Sequence, residues 1–254
     1  DILWLMKNET KKRINLRQIR VLLINVLLIA FGIAININVI WLRAFTSVYI
    51  VFSGIVFLPS VKVEIGYSSR MQTIAYYFPM YIMLIPLVAN NKLFQKVNYL
   101  DITLAIILSL SLFVSRYKEI ITICTSVYAN TRMNPEKFKD ELFDQLVAII
   151  SEEIFFTGYL IYVMNRMQIS IVLSAGTFVL AHYINRWAKT IFRVKDYFYI
   201  FILGLLKGYV FYRTNNILLP ILIHLIYNSS NIYLIFKKRF MIKPVEEVSL
   251  FDDY

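Results

Sequence analysis

The sequence predicts an all-α fold, a polytopic membrane helix bundle of about eight transmembrane helices, and three observations predict it. Apolar residues make up 59% of the 254-residue chain, with a mean hydropathy of +0.62, where a soluble domain averages about 45–50%. The apolar residues gather in blocks of roughly 16–22, close to the ~20 needed to cross a hydrocarbon core, and most blocks lack the polar face of a soluble helix. Lys and Arg collect between the blocks rather than within them.

In chain order, the blocks place helices near 20–42, 46–61, 73–89, 99–115, 141–163, 169–187, 197–213 and 216–236. The first follows a basic stretch with no small-residue cleavage site, so no cleavable leader is expected. The second and third are separated by a polar stretch around Lys62 to Arg70, and the fourth opens after Lys92 and Lys96. Tyr117 to Ala129 is a further apolar stretch, read as an interfacial helix, and Asn130 to Asp140 is a polar connector. The last four blocks run in close succession to a charged tail from Lys237. The whole reads as one integral membrane domain: helices over 1–129, a core over 140–236 and a cytoplasmic tail over 237–254.

Charge fixes the expected orientation. With the N-terminus in the cytoplasm, 21 of the 27 Lys and Arg fall in cytoplasmic segments. Only Arg43, Lys92, Lys96, Arg166 and Arg213 lie outside, and Lys207 is left within a span. That asymmetry favours an even number of spans with both termini cytoplasmic, in the cell membrane. It also accounts for the net charge of +11 without nucleic acid, for which no basic face or aromatic-interleaved motif is present. Cys124 is the only cysteine, which excludes an intrachain disulfide and a cysteine-rich zinc site; it reads as an inert buried thiol.

Charged groups at the centre of a span cost about 2.5–3.5 kcal/mol on insertion scales, so those that occur call for a reason. Glu152 and Glu153 lie adjacent within the fifth block, and Lys207 lies within the seventh. Adjacent helical residues point about 100° apart, so one carboxylate can face a cavity while the other braces a neighbouring helix; a helix boundary at the pair is the plainer alternative. The chain's two histidines, His182 and His224, both fall in blocks. Phe178 and His182 share a face at i, i+4, as do His224 and Asn228, with Pro220 and Asn231 extending the second seam. Interhelical hydrogen bonding alone accounts for Asn231, and a lone His182 is as readily structural. Gly204 and Gly208 form a Gly-x-x-x-Gly pair suited to close helix approach, with Gly158 and Gly176 expected to serve likewise.

Taken together, Glu152-Glu153, Phe178-x-x-x-His182 and His224-x-x-x-Asn228, with Gly204, Gly208, Tyr212 to Asn216 and Pro220 between them, resemble the CAAX protease and bacteriocin-processing (Abi) family of intramembrane peptidases. The resemblance covers about 140–231. It implies that Glu152 is the general base that activates a water, that His182 helps to bind and polarise it, and that His224 and Asn228 stabilise the oxyanion. Glu153 is implied as a supporting carboxylate, and no cofactor is implied. Thr157 stands where the family carries an arginine, four residues after Glu153. Thr157 offers a hydrogen bond and no charge. Lys207 is a candidate for the missing cation, against the alternative that it snorkels to the interface.

Four functions stay open on these residues. The first is an endopeptidase acting on a membrane-associated peptide or protein, such as a bacteriocin or pheromone precursor, or acting in self-immunity. The second is a catalytically silent relative serving as immunity protein, scaffold or regulator. The third is a zinc peptidase with Glu152, His182 and His224 as ligands, although no His-Glu-x-x-His motif is present. The last is a transporter. The partners expected are the lipid bilayer and a peptide or membrane-protein substrate.

Overall fold

The computed structural model describes residues 43–52, 69–82, 84–89, 93–164, 167–184 and 192–242. These form helices α1 (Arg43–Phe52), α2 (Ser69–Ile82), α3 (Leu84–Ala89), α4 (Tyr99–Ser115), α5 (Tyr117–Thr125), α6 (Pro135–Val163), α7 (Gln168–Ile184), α8 (Val194–Thr214), α9 (Leu218–Tyr227) and α10 (Ser229–Phe236). Among the described residues no strand occurs, only one isolated bridge, Phe94 to Asn216. The expected helix at 20–42 and most of that at 46–61 lie outside the described residues.

The helices are more broken than eight straight spans. Among the described residues, by length and composition, α6 alone is long and apolar enough to cross a membrane; α4 with α5, and α9 with the chain from Ser229 to Met241, qualify only as bent pairs, turned by 63° and 59°. Within the block at 73–89 lie α2, with Pro79 inside it, and α3. The block at 216–236 divides at Asn228, whose φ −90° and ψ 5° leave the helical region. The Pro220-to-Asn231 seam is therefore not straight, and Asn231 is exposed. The predicted connector Asn130 to Asp140 is also shorter than read. Asn134 caps α6 by accepting from the Lys137 N–H (2.7 Å), and Pro135 occupies the first turn. Nor does the tail leave the bundle at Lys237: a π-helical turn runs on over Lys237–Met241, and the Met133 N–H donates to the Lys238 carbonyl (2.9 Å).

The buried core centres on α6. Over Glu153–Tyr159 this helix widens into a π-helical segment in which every residue is buried. Phe155, Phe156, Leu160 and Ile161 pack there with Phe178 of α7, Leu203 of α8 and Ile223 of α9. Ser174 of α7 donates to the Phe156 carbonyl inside the segment. On the far side, Tyr159 meets Ser47 of α1 (2.9 Å), while Arg70 and Thr73 of α2 bond Asp140 (2.8 Å for Arg70) and Asp144.

Helices α7 and α8 approach most closely at Gly204, where an added Cβ would lie 2.9 Å from the Cα and Cβ of Ala175, and at Gly208, 3.0 Å from Ile171. Gly176 is different: a Cβ there meets nothing within 4 Å, so the packing role expected for it is not found.

The two ends of the bundle are pinned differently. At one, Arg116 at the α4–α5 corner pairs with Glu119 (3.2 Å) and lies over the rings of Tyr227 (4.8 Å) and Tyr199 (5.5 Å), and Lys195 pairs with Glu119. Lys237 caps the carbonyl of half-buried Cys124 (2.8 Å). At the other, the Asn215-Asn216 turn binds the segment before α4. Ile217 N–H donates to Leu93 O (2.9 Å), Asn216 Nδ2 to Gln95 O (2.7 Å), and Arg213 pairs with Asp101 (3.0 Å).

Candidate active site

Two consecutive residues of α6 meet opposite surroundings. Glu153 opens the π-helical segment with a fully buried side chain, and both of its oxygens are engaged. Thr157, four residues on, donates to Oε2 (2.7 Å). Oε1 accepts from His224 Nδ1 of α9 (2.7 Å) and forms an ion pair with Lys207 Nζ of α8. Lys207 is 1% exposed, which rules out snorkelling. Its ammonium lies 3.8 Å from the centre of the Phe178 ring and 3.4 Å from His224 Nδ1. A buried cation and a buried anion are each costly alone; here they share one site and satisfy each other. Three elements, α6, α8 and α9, are thereby tied at one carboxylate.

Glu152 points elsewhere. Its side chain keeps 16% of its surface exposed and makes no hydrogen bond to any described residue. Beside it lies His224, whose Nε2 is 3.9 Å from Glu152 Oε2. The imidazole of His224 thus bridges the two glutamates, with Nδ1 bonded to Glu153 and Nε2 toward Glu152. Asn228 ends the last turn of α9, its N–H donating to the His224 carbonyl (2.9 Å). Its carboxamide is half-buried and makes no hydrogen bond among the described residues.

Phe178 joins the second histidine to this group. Its ring is 4.5 Å from that of His182, 5.8 Å from that of His224 and 5.4 Å from that of Phe156. His182 Nδ1 donates to the Phe178 carbonyl (3.0 Å), which leaves Nε2 as the acceptor. Phe192 stacks on the same imidazole at 6.1 Å.

The structure therefore gathers Glu153, Thr157, Phe178, Lys207 and His224 into one contact group, with His182 on its aromatic side and Glu152 and Asn228 at the two flanks of His224. As a chemical assembly it offers a carboxylate with no hydrogen bond to a described residue, two imidazole rings and a carboxamide. Among the described residues, no three His, Cys, Asp or Glu side chains are arranged to hold a metal ion. Sequence reasoning missed Ser174 and Phe192 as supports of this site. Ser174 lies four residues before Phe178, on the same face, and could have been read from that spacing. The π-helical widening has no comparable signal in the sequence.

Residues 141–230 match the family model described as type II CAAX prenyl endopeptidase Rce1-like. The match spans a little over a third of the chain and contains all eight of these residues. The resemblance of this segment to the CAAX protease and bacteriocin-processing family is thus shown, and that family is one of membrane proteases. The match and the apolar helices together point to a membrane protein. No curated protein and no solved structure matches the chain.

Proposed function

We propose that the chain is a membrane-embedded endopeptidase that hydrolyses a peptide bond with Glu152 as general base. One observation carries the reading: of two adjacent intramembrane carboxylates, Glu153 has both oxygens bonded while Glu152 makes no hydrogen bond to a described residue and lies beside an imidazole. A general base needs a free lone pair and a way to reach water, and the partly exposed Glu152 suits that role better than the sealed Glu153.

In this reading a water lies between Glu152 and His182 Nε2. Glu152 takes one proton, and the oxygen attacks the scissile carbonyl carbon. The charge that develops on the carbonyl oxygen faces Asn228 and His224, in surroundings of low dielectric where aimed donors act strongly. Collapse breaks the C–N bond as the proton held by Glu152 passes to the leaving nitrogen. No serine or cysteine nucleophile and no resident metal is required, and activity that survives a chelator would be in keeping with this.

The alternative, a catalytically silent relative, has its best support in Thr157 in place of an arginine; the pairing of Glu153 with Lys207 of another helix supports the enzymatic reading instead.

We further propose eight spans with both termini cytoplasmic and the site opening toward the cytoplasm. In support, Arg116, Lys195 and Lys237 cluster at the end of the bundle where α4 stops and α8 starts, and Lys96 and Arg213 lie at the opposite end. The substrate would be a peptide or membrane-anchored precursor, with bacteriocin or pheromone processing, or self-immunity, as its setting. The test is mass spectrometry of membrane and short secreted peptides from wild-type and Glu152→Gln cells. Cleavage products present only in the wild type are expected; identical peptide profiles, with both proteins folded, would overturn the reading.

A further inference from the structure

The hydrogen bonds of His224 assign its proton. A carboxylate oxygen only accepts, so the 2.7 Å contact of Nδ1 with Glu153 Oε1 places a proton on Nδ1, and the Lys207 ammonium, which only donates, stands farther from that nitrogen, at 3.4 Å. In the neutral ring, Nε2 on the Glu152 side then carries a lone pair. This arrangement holds only while Glu153 is an anion. Without a cation beside it, a carboxyl shut away from water takes up a proton instead of bearing its charge. A protonated Glu153 donates to Nδ1, and the imidazole proton moves to Nε2. The group that keeps Glu153 charged is Lys207, itself buried and held against the Phe178 ring. Thr157, the other partner, is neutral and bonds the other oxygen.

We infer that Lys207 is a positioning residue that acts through Glu153 to hold the proton of His224 on Nδ1, leaving Nε2 as an acceptor beside Glu152. This goes beyond the peptidase reading, and only its kinetic consequence rests on it. The proton that Glu152 takes from water then has a second site, Nε2, 3.9 Å away. Its arrival makes an imidazolium that Glu153 stabilises at the far nitrogen. That imidazolium donates to the substrate oxyanion, and on collapse its Nε2 proton returns through Glu152 to the leaving nitrogen. Lys207 touches neither water nor substrate.

The chain has two histidines, so protein labelled with 15N-histidine in lipid nanodiscs gives two imidazoles, assigned with a His182→Gln sample. His224 is expected to show a protonated Nδ1 and a bare Nε2. Lys207→Met is expected to reverse the two, and Lys207→Arg to keep the wild-type pattern. In case Lys207→Met does not fold, Thr157→Arg/Lys207→Met places a guanidinium four residues from Glu153 and should restore a protonated Nδ1. A bare Nδ1 in the wild type, or in Lys207→Arg, overturns the proposal, and so does an unchanged ring in Lys207→Met. These spectra need no substrate. If the peptidase reading also holds, Lys207→Met lowers kcat by about 10²- to 10⁴-fold, the scale of a wrong tautomer, with KM nearly unchanged. Reversed spectra without any peptidase activity would sink the enzyme and leave the tautomer assignment standing.

Discussion

Glu152 and Glu153 are bonded neighbours in the chain and chemical opposites in the fold. One makes no hydrogen bond to a described residue and is partly exposed; the other is sealed, with a lysine, a histidine and a threonine on its two oxygens. Their amide variants should therefore fail in different ways. Glu152→Gln should keep the fold and lose cleavage. Glu153→Gln strands a buried Lys207, and removing one partner of a buried pair costs about 3–5 kcal/mol. Thermal unfolding in detergent checks this: the Glu153 variant should melt well below the wild type and the Glu152 variant close to it. Equal melting temperatures for the two variants would refute the division of roles.

Gly204 and Gly176 make a second contrast. A methyl group at Gly204 runs into the backbone of Ala175, which has no flexible end to move, whereas at Gly176 it enters open space. Gly204→Ala should destabilise the bundle by about 1–3 kcal/mol through overpacking. Gly176→Ala should be neutral, or slightly stabilising through helix propensity. Paired unfolding curves in one detergent decide the matter.

Much of this was legible in the sequence, for physical reasons that differ by residue. Lys207 stood out because a cation within an apolar block must find a partner, and the partner named from the sequence is the one found, Glu153. Gly204 was legible as half of a small-residue pair, but nothing in the residues themselves separates it from Gly176, because open space on a helix surface belongs to the neighbours. The break between α9 and α10 was not legible, because the departure at Asn228 comes from backbone angles that asparagine tolerates without demanding. The π-helical turn at Glu153–Tyr159 was not legible either, since neither Thr157 nor Gly158 demands it and its extra width is set by what packs around it.

The corner between α4 and α5 should give the bundle an acid limit. Hydrogen bonding from Lys195, aided by Arg116, holds the Glu119 carboxyl below its ordinary range. A carboxylate lowered on folding contributes stability above its unfolded value and loses that contribution as pH falls through the folded one. Stability should therefore decline as the medium is acidified from the ordinary glutamate range downward. Glu119→Gln should flatten the part of the decline due to this residue. Unfolding midpoints measured over that acidic range for the two proteins should converge at the acid end. A constant gap between them would show that Glu119 has no share in it.

Phe178 links the cation and both histidines of the site: its ring faces the Lys207 ammonium, both imidazoles and Phe156, and its carbonyl orients His182. Phe178→Ala should cost about 3–5 kcal/mol, as for other buried aromatics. That loss alone cannot separate packing from positioning. Phe178→Leu can, because leucine refills much of the space and keeps the backbone carbonyl of His182's hydrogen bond, but offers no π face to the lysine. Its melting temperature should recover most of the way toward the wild type. Cleavage should stay depressed, with the loss in kcat rather than KM, because Lys207 and the two rings lose the surface that sets their spacing. Full activity in a stable Phe178→Leu protein would mean that the aromatic ring only fills volume.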